Sequence, residues 1–403
     1  MKKVYTMLLV LYPVTNIYGI GLPGMSLGKL VLLLSGLYLL LKEHSSSLKF
    51  PPRYLYFAIW MLLVPLFYIL NTWTSIQSIL YKSVGLLVFI LLVGLSIRLV
   101  RGDLALKYYR RATLIFTSFF YVQFLLDKFV GLKVLGIIPG LPLADATSTD
   151  MYVSMQSKLT RYCSFFLEPS HFAVYISMFL AIKLMLLRGK LWDKDVIFVF
   201  IALVLLQSGN GYSCLIAISC AYIVCYRTYI FSSVKKSLLT VFTVLCLYVG
   251  YQSISKSDVF YDTFSRVEEV DSSGNQNSSG FTRIFRGFYF YSDLTPMEKF
   301  VGIGQGNEFD YARSHGMHSF RNLDTYTDAV YLNGVQQILV YGGAIGGALF
   351  VYFLSIYYRK KETILLVFPF TTLFFISGVY NGSMMLLYIV YLELIRKNIC
   401  KAL

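Results

Sequence analysis

The stretch ILYKSVGLLVFILLVGLSIR, residues 79–98, decides the fold class. It is apolar without interruption from Val84 to Leu95 and closes on Arg98. A helix of about 20 mostly apolar residues crosses the hydrocarbon core of a bilayer. Windows of the same kind recur at 4–20, 27–41, 54–70, 109–128, 170–187, 195–207, 211–230, 238–254, 329–357, 363–379 and 380–396. Together they predict an all-α polytopic membrane protein with about twelve transmembrane helices in a single integral membrane domain, 1–403. The first window has the basic flank of a signal peptide, with Lys2 and Lys3 ahead of an apolar run. It lacks an A-x-A-like cleavage site and runs straight into further apolar segments, so an uncleaved span is expected.

Composition agrees with that reading. Of the 403 residues 57% are hydrophobic and 14% charged, where soluble domains carry about 25% charge. A mean hydropathy of +0.63 with 17% aromatic residues excludes disordered and collagen-like chains. A formal net charge of +15 raises the question of nucleic acid or anionic membrane as a partner.

The distribution of charge answers it. With a cytoplasmic N-terminus, the inner segments carry Lys2, Lys3, Lys42, Lys49, Arg53, Arg98, Arg101, Lys107, Arg110 and Arg111 in the first half of the chain. They go on with Lys183, Arg188, Lys190, Lys194, Arg227, Lys235 and Lys236, then Arg359, Lys360, Lys361, Arg396, Lys397 and Lys401. Every inner segment is basic, as the positive-inside rule requires, and an error in the helix count would invert the pattern beyond it. These 23 basic residues face six acidic ones (Glu43, Asp103, Asp193, Asp195, Glu362, Glu393), a net of +17 inside and −2 outside. The surplus is topological, and no nucleic-acid partner is implied. Both termini are expected in the cytoplasm. Only Cys163 of the six cysteines falls in an outer loop, so no disulfide is expected.

Two outer loops, 129–168 and 255–328, exceed the short connections elsewhere, and long loops in compact folds are commonly functional. The second holds the polar stretch Asp271 to Gly280, a flexible linker by composition. Beyond it the loop turns aromatic and basic, then glycine-rich, which suggests a small ordered unit lying on the membrane. The spans carry almost no ionisable residue near mid-membrane, which speaks against an ion-coupled transporter. Lys183 sits within snorkelling reach of the inner surface, and Glu393 is spaced to pair with Arg396 and Lys397.

Three constellations are candidates for chemistry. In the first, Arg161 to Ala173, Pro169 marks a helix start and holds Arg161 and Glu168 near the outer surface. An ion pair tying the loop to the helix end explains the same residues. The second, Ser278 to Gly287, sets Arg283 and Arg286 three apart among Phe281, Phe285 and Phe288. Anchoring to anionic lipid headgroups and bidentate phosphate capture both suit such a segment. The third comprises Arg313, His315, His318 and Arg321 followed by Asp324 and Asp328. Gly316 between the histidines disfavours a helical metal pair, no third ligand completes a zinc set, and no metal is expected. Acid–base or phosphate-binding work for a histidine stands beside a loop histidine with no task. Gly302 to Gly306 misses the spacing of a dinucleotide loop. Asp193 and Asp195 lie in a loop too short for a nucleotide-binding domain and read as charges balancing Lys190 and Lys194. Asn277 opens a chance-level glycosylation triplet.

The motifs also fall in a distinctive order. An Arg and an aromatic stretch lead into Glu-Pro-x-x-Phe-Ala (Arg161; Glu168 to Ala173), followed by a Ser-Gly-x-Gly pivot (Ser208, Gly209, Asn210, Gly211). Then come Ser-Gly-x-x-Arg (Ser279 to Arg283), Val-Gly-x-Gly-x-Gly (Val301 to Gly306) and Tyr331-Leu332-Asn333-Gly334 running to Gly346. This order resembles the O-antigen polymerase and ligase superfamily, and within it the Wzy-type polysaccharide polymerases. The resemblance covers about 160–347 in motifs.

It implies a GT-C-like membrane glycosyltransferase of the bacterial inner membrane, working on the periplasmic face without metal or cofactor. Its partners would be undecaprenyl-pyrophosphate-linked oligosaccharides as donor and acceptor, membrane lipids, and a chain-length regulator protein. Arg161 and Arg283 match the family's arginines and would offset charge on the leaving pyrophosphate. Glu168 is the leading candidate to accept the acceptor's proton, with Asp324 and Asp328 as alternatives, or it orients Arg161. Arg286, His318, Arg313, Arg321, Ser208, Asn210 and Tyr331 complete the expected substrate-binding set. Ligases of the superfamily carry a His about where this chain has Asp328, and His318 lies ten residues too early. That favours polymerase over ligase; a flippase for lipid-linked sugars is the reading from another class.

Overall fold

The computed structural model describes residues 1–21, 25–43, 47–70, 75–138, 140–143, 162–187, 193–206, 208–230, 285–315, 332–376 and 380–397. Of these, 78% are helical and none lies in a strand. The first part of the chain forms α1 (Lys2–Thr15), α2 (Leu27–Lys42), α3 (Tyr54–Leu63), α4 (Ile76–Leu99) and α5 (Gly102–Leu125). There follow α6 (Pro169–Leu186), α7 (Lys194–Leu205) and α8 (Gly209–Ile230). Three short helices, α9 (Arg286–Asp293), α10 (Pro296–Val301) and α11 (Glu308–Ser314), precede α12 (Gly334–Tyr358), α13 (Lys361–Ile376) and α14 (Ser383–Arg396). Eleven of the apolar windows coincide with a helix, and 238–254 lies outside the described residues.

Among the described residues, five helices are long and apolar enough to cross a bilayer: α4, α5 through Val130, α6, α8 through Tyr226, and α12. Their apolar surface does not all turn inward. Val84 is 56% exposed, Ile115 60% and Val351 67%, an outward display that suits lipid and would cost a soluble protein its solubility. The interior is aromatic. Tyr109 meets Tyr175 edge-on at 4.9 Å between centroids and lies 5.0 Å from Tyr391, joining α5, α6 and α14. Each of these phenols donates to a backbone carbonyl (Tyr109 to Tyr175, Tyr175 to Val10, Tyr391 to Ala105), so burial leaves no hydroxyl of the trio unpaired.

The helix ends sort by charge. At one end Lys2 pairs with Glu43 at 2.8 Å, Arg110 with Asp195 at 2.6 Å, and Glu393 with both Arg396 and Lys397. The Arg53 guanidinium reaches Ser355 at 2.7 Å there, and the Lys360 ammonium the Arg396 carbonyl at 2.7 Å. Residues assigned by charge to the inner side therefore meet at one end of the bundle. Two local readings change. Lys183 does not snorkel alone: its ammonium bonds Asp195 at 3.0 Å and Asp193 at 3.3 Å. Asp195 is taken up by Lys183 and Arg110, from α6 and α5, instead of balancing Lys194.

Two predicted spans depart from straight helices. The window 4–20 stops at Thr15. Asn16 caps α1 and its side-chain oxygen accepts from the Ser26 hydroxyl at 2.7 Å, tying the end of α1 to the cap of α2. Tyr18 and Gly19 then form isolated antiparallel bridges to Leu143 and Ser26. In α12, Gly343 adopts φ 64°, ψ −166°, which breaks the helix. The Ile338 carbonyl oxygen lies 3.3 Å from the position of a Cβ on Gly346, far closer than a straight helix rising 1.5 Å per residue allows.

Candidate active site

The end opposite the ionic one gathers the motifs. Glu168 is the N-cap of α6 in extended conformation, with Pro169 at the first helical position, where its missing N–H costs nothing. The Glu168 carboxylate accepts from the Ser170 hydroxyl at 2.8 Å. Just ahead, Ser164 is held at φ 53°, a conformation side chains other than glycine seldom adopt. Its backbone N–H donates to the Gln123 side-chain oxygen at 2.9 Å and its hydroxyl to the Phe116 carbonyl at 2.8 Å. Two long-range bonds from α5 thus over-determine the turn that presents Glu168. Burial first, and the neighbouring carboxylate of Glu168 second, push the Cys163 thiol up to about 12. The Tyr162 hydroxyl donates to Asp127 at 2.5 Å, and its pKa is raised by burial and by that bond.

The Ser208-Gly-Asn-Gly pivot opens α8 beside this turn. Ser208 and Asn210 are both buried. A Cβ on Gly211 would lie 3.3 Å from the Ala173 Cβ and 3.6 Å from that of Ser208. The missing side chain of Gly211 lets α8 pack tightly against the start of α6. The Glu-Pro motif and the pivot, some forty residues apart in sequence, are therefore adjacent in space.

A second group of motifs is assembled around the break in α12. The segment Gly302 to Gly306 carries three glycines with positive φ (91°, 77° and 90°). This path lets the N–H groups of Ile303 and Gly304 donate to the carbonyls of Val340 and Tyr341 at 2.9 and 3.0 Å. Trp60 Nε1 donates to the Gly342 carbonyl at 2.7 Å, and the Tyr68 hydroxyl to the Gly302 carbonyl at 2.8 Å. The carbonyls released at the break are so satisfied by the loop and by α3, as a buried irregular backbone requires. The loop also grips α4 and the turn ahead of α14: Ser78 donates to the Gly306 carbonyl at 2.9 Å, and Tyr380 is hydrogen-bonded to Gln305. Upstream of the break, Asn333 and Gln336 form a reciprocal capping box that starts α12.

Carboxylates line the same unit. Glu308 accepts from the Gly306 N–H at 2.9 Å and lies beside the Tyr341 phenol, and Asp310 accepts from the Ser75 N–H at 3.2 Å. Glu298 closes a capping box with Thr295 and accepts from the Tyr311 hydroxyl at 2.7 Å. Partial burial works to raise its pKa, but the bonds from Tyr311 and Thr295 prevail and hold it below the ordinary carboxylate value. His315 ends α11, stacked on Tyr311 at 4.0 Å between centroids.

Of the expected site residues, Glu168 caps α6, and Ser208 and Asn210 stand at the start of α8, which meets α6 through Gly211 and Ala173. Arg286 is the first residue of α9, and Arg313 is exposed in the last turn of α11. Arg161, Arg283, His318, Arg321, Asp324, Asp328 and Tyr331 lie outside the described residues. Gln305, Glu308 and Tyr380 were not singled out by sequence. The signal available for Glu308 was its place two residues after the last glycine of the Val301 to Gly306 motif. Among the described residues no three His, Cys, Asp or Glu side chains converge on a common metal position. No protein-family model matches the chain, and no curated protein matches it.

Proposed function

We propose that the chain is a polysaccharide polymerase of the Wzy type, a membrane glycosyltransferase of GT-C-like architecture with about twelve spans. In this reading it lies in a bacterial inner membrane, with the basic helix ends in the cytoplasm and the motif-bearing ends on the periplasmic side. The observation that carries the proposal is the meeting of the Glu-Pro turn with the Ser208–Gly211 pivot through the Gly211–Ala173 contact. Two motifs of the resemblance share one location, away from the ionic end of the bundle. The glycine loop and the broken α12 supply a further pair of those motifs in mutual contact.

The reaction follows from the group being transferred. The terminal sugar hydroxyl of one lipid-linked repeat unit attacks the anomeric carbon of a growing glycan on another carrier. The new glycosidic C–O bond forms as the bond to undecaprenyl pyrophosphate breaks, and the bonding pair leaves on the pyrophosphate oxygen. Arg161 and Arg283 are assigned to that developing charge, which preorganised cations stabilise most effectively where water is excluded. Glu168 is assigned to the acceptor's proton, its carboxylate oriented by Ser170.

Deletion of the gene with gel display of surface glycan tests the proposal. Loss of the ladder with single repeat units retained supports a polymerase. Absence of attached glycan points to a ligase, and repeat units trapped inside the cell point to a flippase.

A further inference from the structure

We propose that residues 129–138, the segment that leaves α5 at the motif-bearing end, are seated in the bilayer at the boundary between headgroups and acyl chains, with lipid as their partner. By sequence these residues only open the outer loop 129–168. The proposal rests on the membrane reading of the helices and stands apart from the polymerase reading.

The argument starts from the outward face of α5. Ile115, Val122 and Leu125 are exposed along it, and Phe129 extends the row by one further turn. Spacings of seven, three and four residues keep these side chains on one side of a helix. That face belongs to a helix of bilayer length, so lipid covers it. Gly131, at φ 71°, then turns the chain away, yet the apolar surface continues. Phe129 is 81% exposed, Val130 68% and Leu132 54%, with Leu135 and Ile138 exposed beyond them. In water so large an apolar strip would be a liability, whereas here it prolongs a surface that lipid already covers. The charged residues of 128–138 are Lys128 and Lys133, both exposed. Apolar side chains bracketed by lysines match acyl chains lying under anionic phosphates. A two-fold contact through the same strip would set lysines against lysines.

The backbone sets the depth. Irregular chain is not tolerated against lipid in the hydrocarbon core unless its polar groups are paired, so a segment of this kind belongs at the boundary. Several of its groups are paired by the protein. The N–H groups of Gly131 and Leu132 donate to the Asp127 and Leu126 carbonyls, both at 3.1 Å. The Val134 carbonyl accepts from the Gln123 amide at 2.8 Å, and the Ile138 N–H donates to the Tyr18 hydroxyl at 3.0 Å. The segment is also joined to the Glu168 turn. The buried Gln123 side chain holds Val134 with its nitrogen and Ser164 with its oxygen, at 2.8 and 2.9 Å. Gly136 lies so close to Ser164 that a Cβ there would collide with the Ser164 carbonyl. A lipid-seated segment therefore carries the Glu168 turn at the bilayer surface.

Depth-resolved quenching tests the seat. A fluorescent amino acid replaces Leu132 in the full-length protein, and a second variant carries it at Val122 on α5 as the lipid-facing reference. Each is placed in nanodiscs of phosphatidylethanolamine and phosphatidylglycerol, with or without a lipid bearing a nitroxide on its upper acyl chain, and iodide serves as the quencher from water. The nitroxide lipid should cut emission at position 132 about as much as at 122, and iodide should have little effect on either. Quenching at 132 by iodide but not by the nitroxide lipid overturns the proposal and returns the segment to water. Shielding of 132 from both quenchers also overturns it, because protein then covers the strip. Absence of nitroxide quenching at 122 as well as 132 defeats the membrane reading itself, which separates the two failures. Thermal melting checks the fold of each variant, and Phe129 supplies a second reporter position if the one at Leu132 is unstable.

Discussion

Gly211 on α8 lies against Ala173 on α6, with 3.3 Å between the Ala173 methyl and the position a Gly211 Cβ would take. That contact holds the start of α8 against α6. Gly211→Val should therefore force the pair apart, at about 1–3 kcal/mol for overpacking. Shortened glycan with normal membrane levels is the expected phenotype. Gly211→Ala, which asks for a shift of a few tenths of an ångström, should retain more of the polymer length. Equal behaviour of the two variants on the gel would remove the contact from the account.

Gly304 joins a second pair of segments. It holds φ 77°, and a Cβ there would meet Pro65 Cα at 2.6 Å while its N–H bonds Tyr341. Gly304→Ala combines left-handed strain with a backbone clash, together about 2–4 kcal/mol. Limited proteolysis should then cut the α9–α11 unit faster than in the wild type. Unchanged cleavage would show that the loop does not clamp this unit to α12.

Much of the bundle was legible in sequence because a transmembrane helix announces itself locally: twenty apolar residues are enough, whatever they pack against. The pairing of Glu393 with Arg396 and Lys397 was legible for the same reason, being set by one turn of helix. What depended on distant partners was hidden. Asp195 sits next to Lys194 in sequence and still pairs with Arg110, 85 residues earlier. Gly343 stands in an apolar, glycine-rich run that reads as a tolerant helix. The groups that stabilise its break, Ile303, Gly304 and Trp60, come from other parts of the chain. The shortening of α1 depends likewise on Ser26 reaching back to Asn16.

The ion cluster at the basic end is open to a direct test. The Asp195 side chain is only 9% exposed and receives both Arg110 and Lys183. Asp195→Asn leaves two cations facing one neutral amide, and breaking a buried pair costs about 3–5 kcal/mol, less to the extent that Arg110 reaches water. A markedly lower melting temperature in detergent is expected. Asp103→Asn, whose Arg101 partner is exposed, should change melting little.

Acid should loosen the α10–α11 contact. The folded Glu298 carboxylate has its pKa below the ordinary value of 4.5, so its stabilisation is complete above that pH and is lost as pH falls through the folded value. The protection factors of residues 296–314 against hydrogen exchange should fall on acidification below about 4.5, and Glu298→Gln should flatten that dependence. An identical pH profile in the variant would exclude Glu298 as the titrating group.

Cys163 offers a probe of the Glu168 turn. Its thiol is buried and shifted up to about 12, so almost no thiolate is present near neutral pH. Maleimide should label Cys163 only after denaturation, or in Ser164→Pro, which removes the N–H that Gln123 receives. Rapid labelling of the folded wild type would contradict the geometry that presents Glu168.

The central claim is that the outward motifs transfer glycan from a pyrophosphate carrier, and one measurement bears on it most directly. A deletion strain is complemented with Arg161→Ala, and the surface glycan is resolved on a gel beside an immunoblot of the membrane fraction. The account predicts single repeat units in place of a ladder, with the variant present in the membrane at the wild-type level. A ladder of normal chain length from that variant would contradict it.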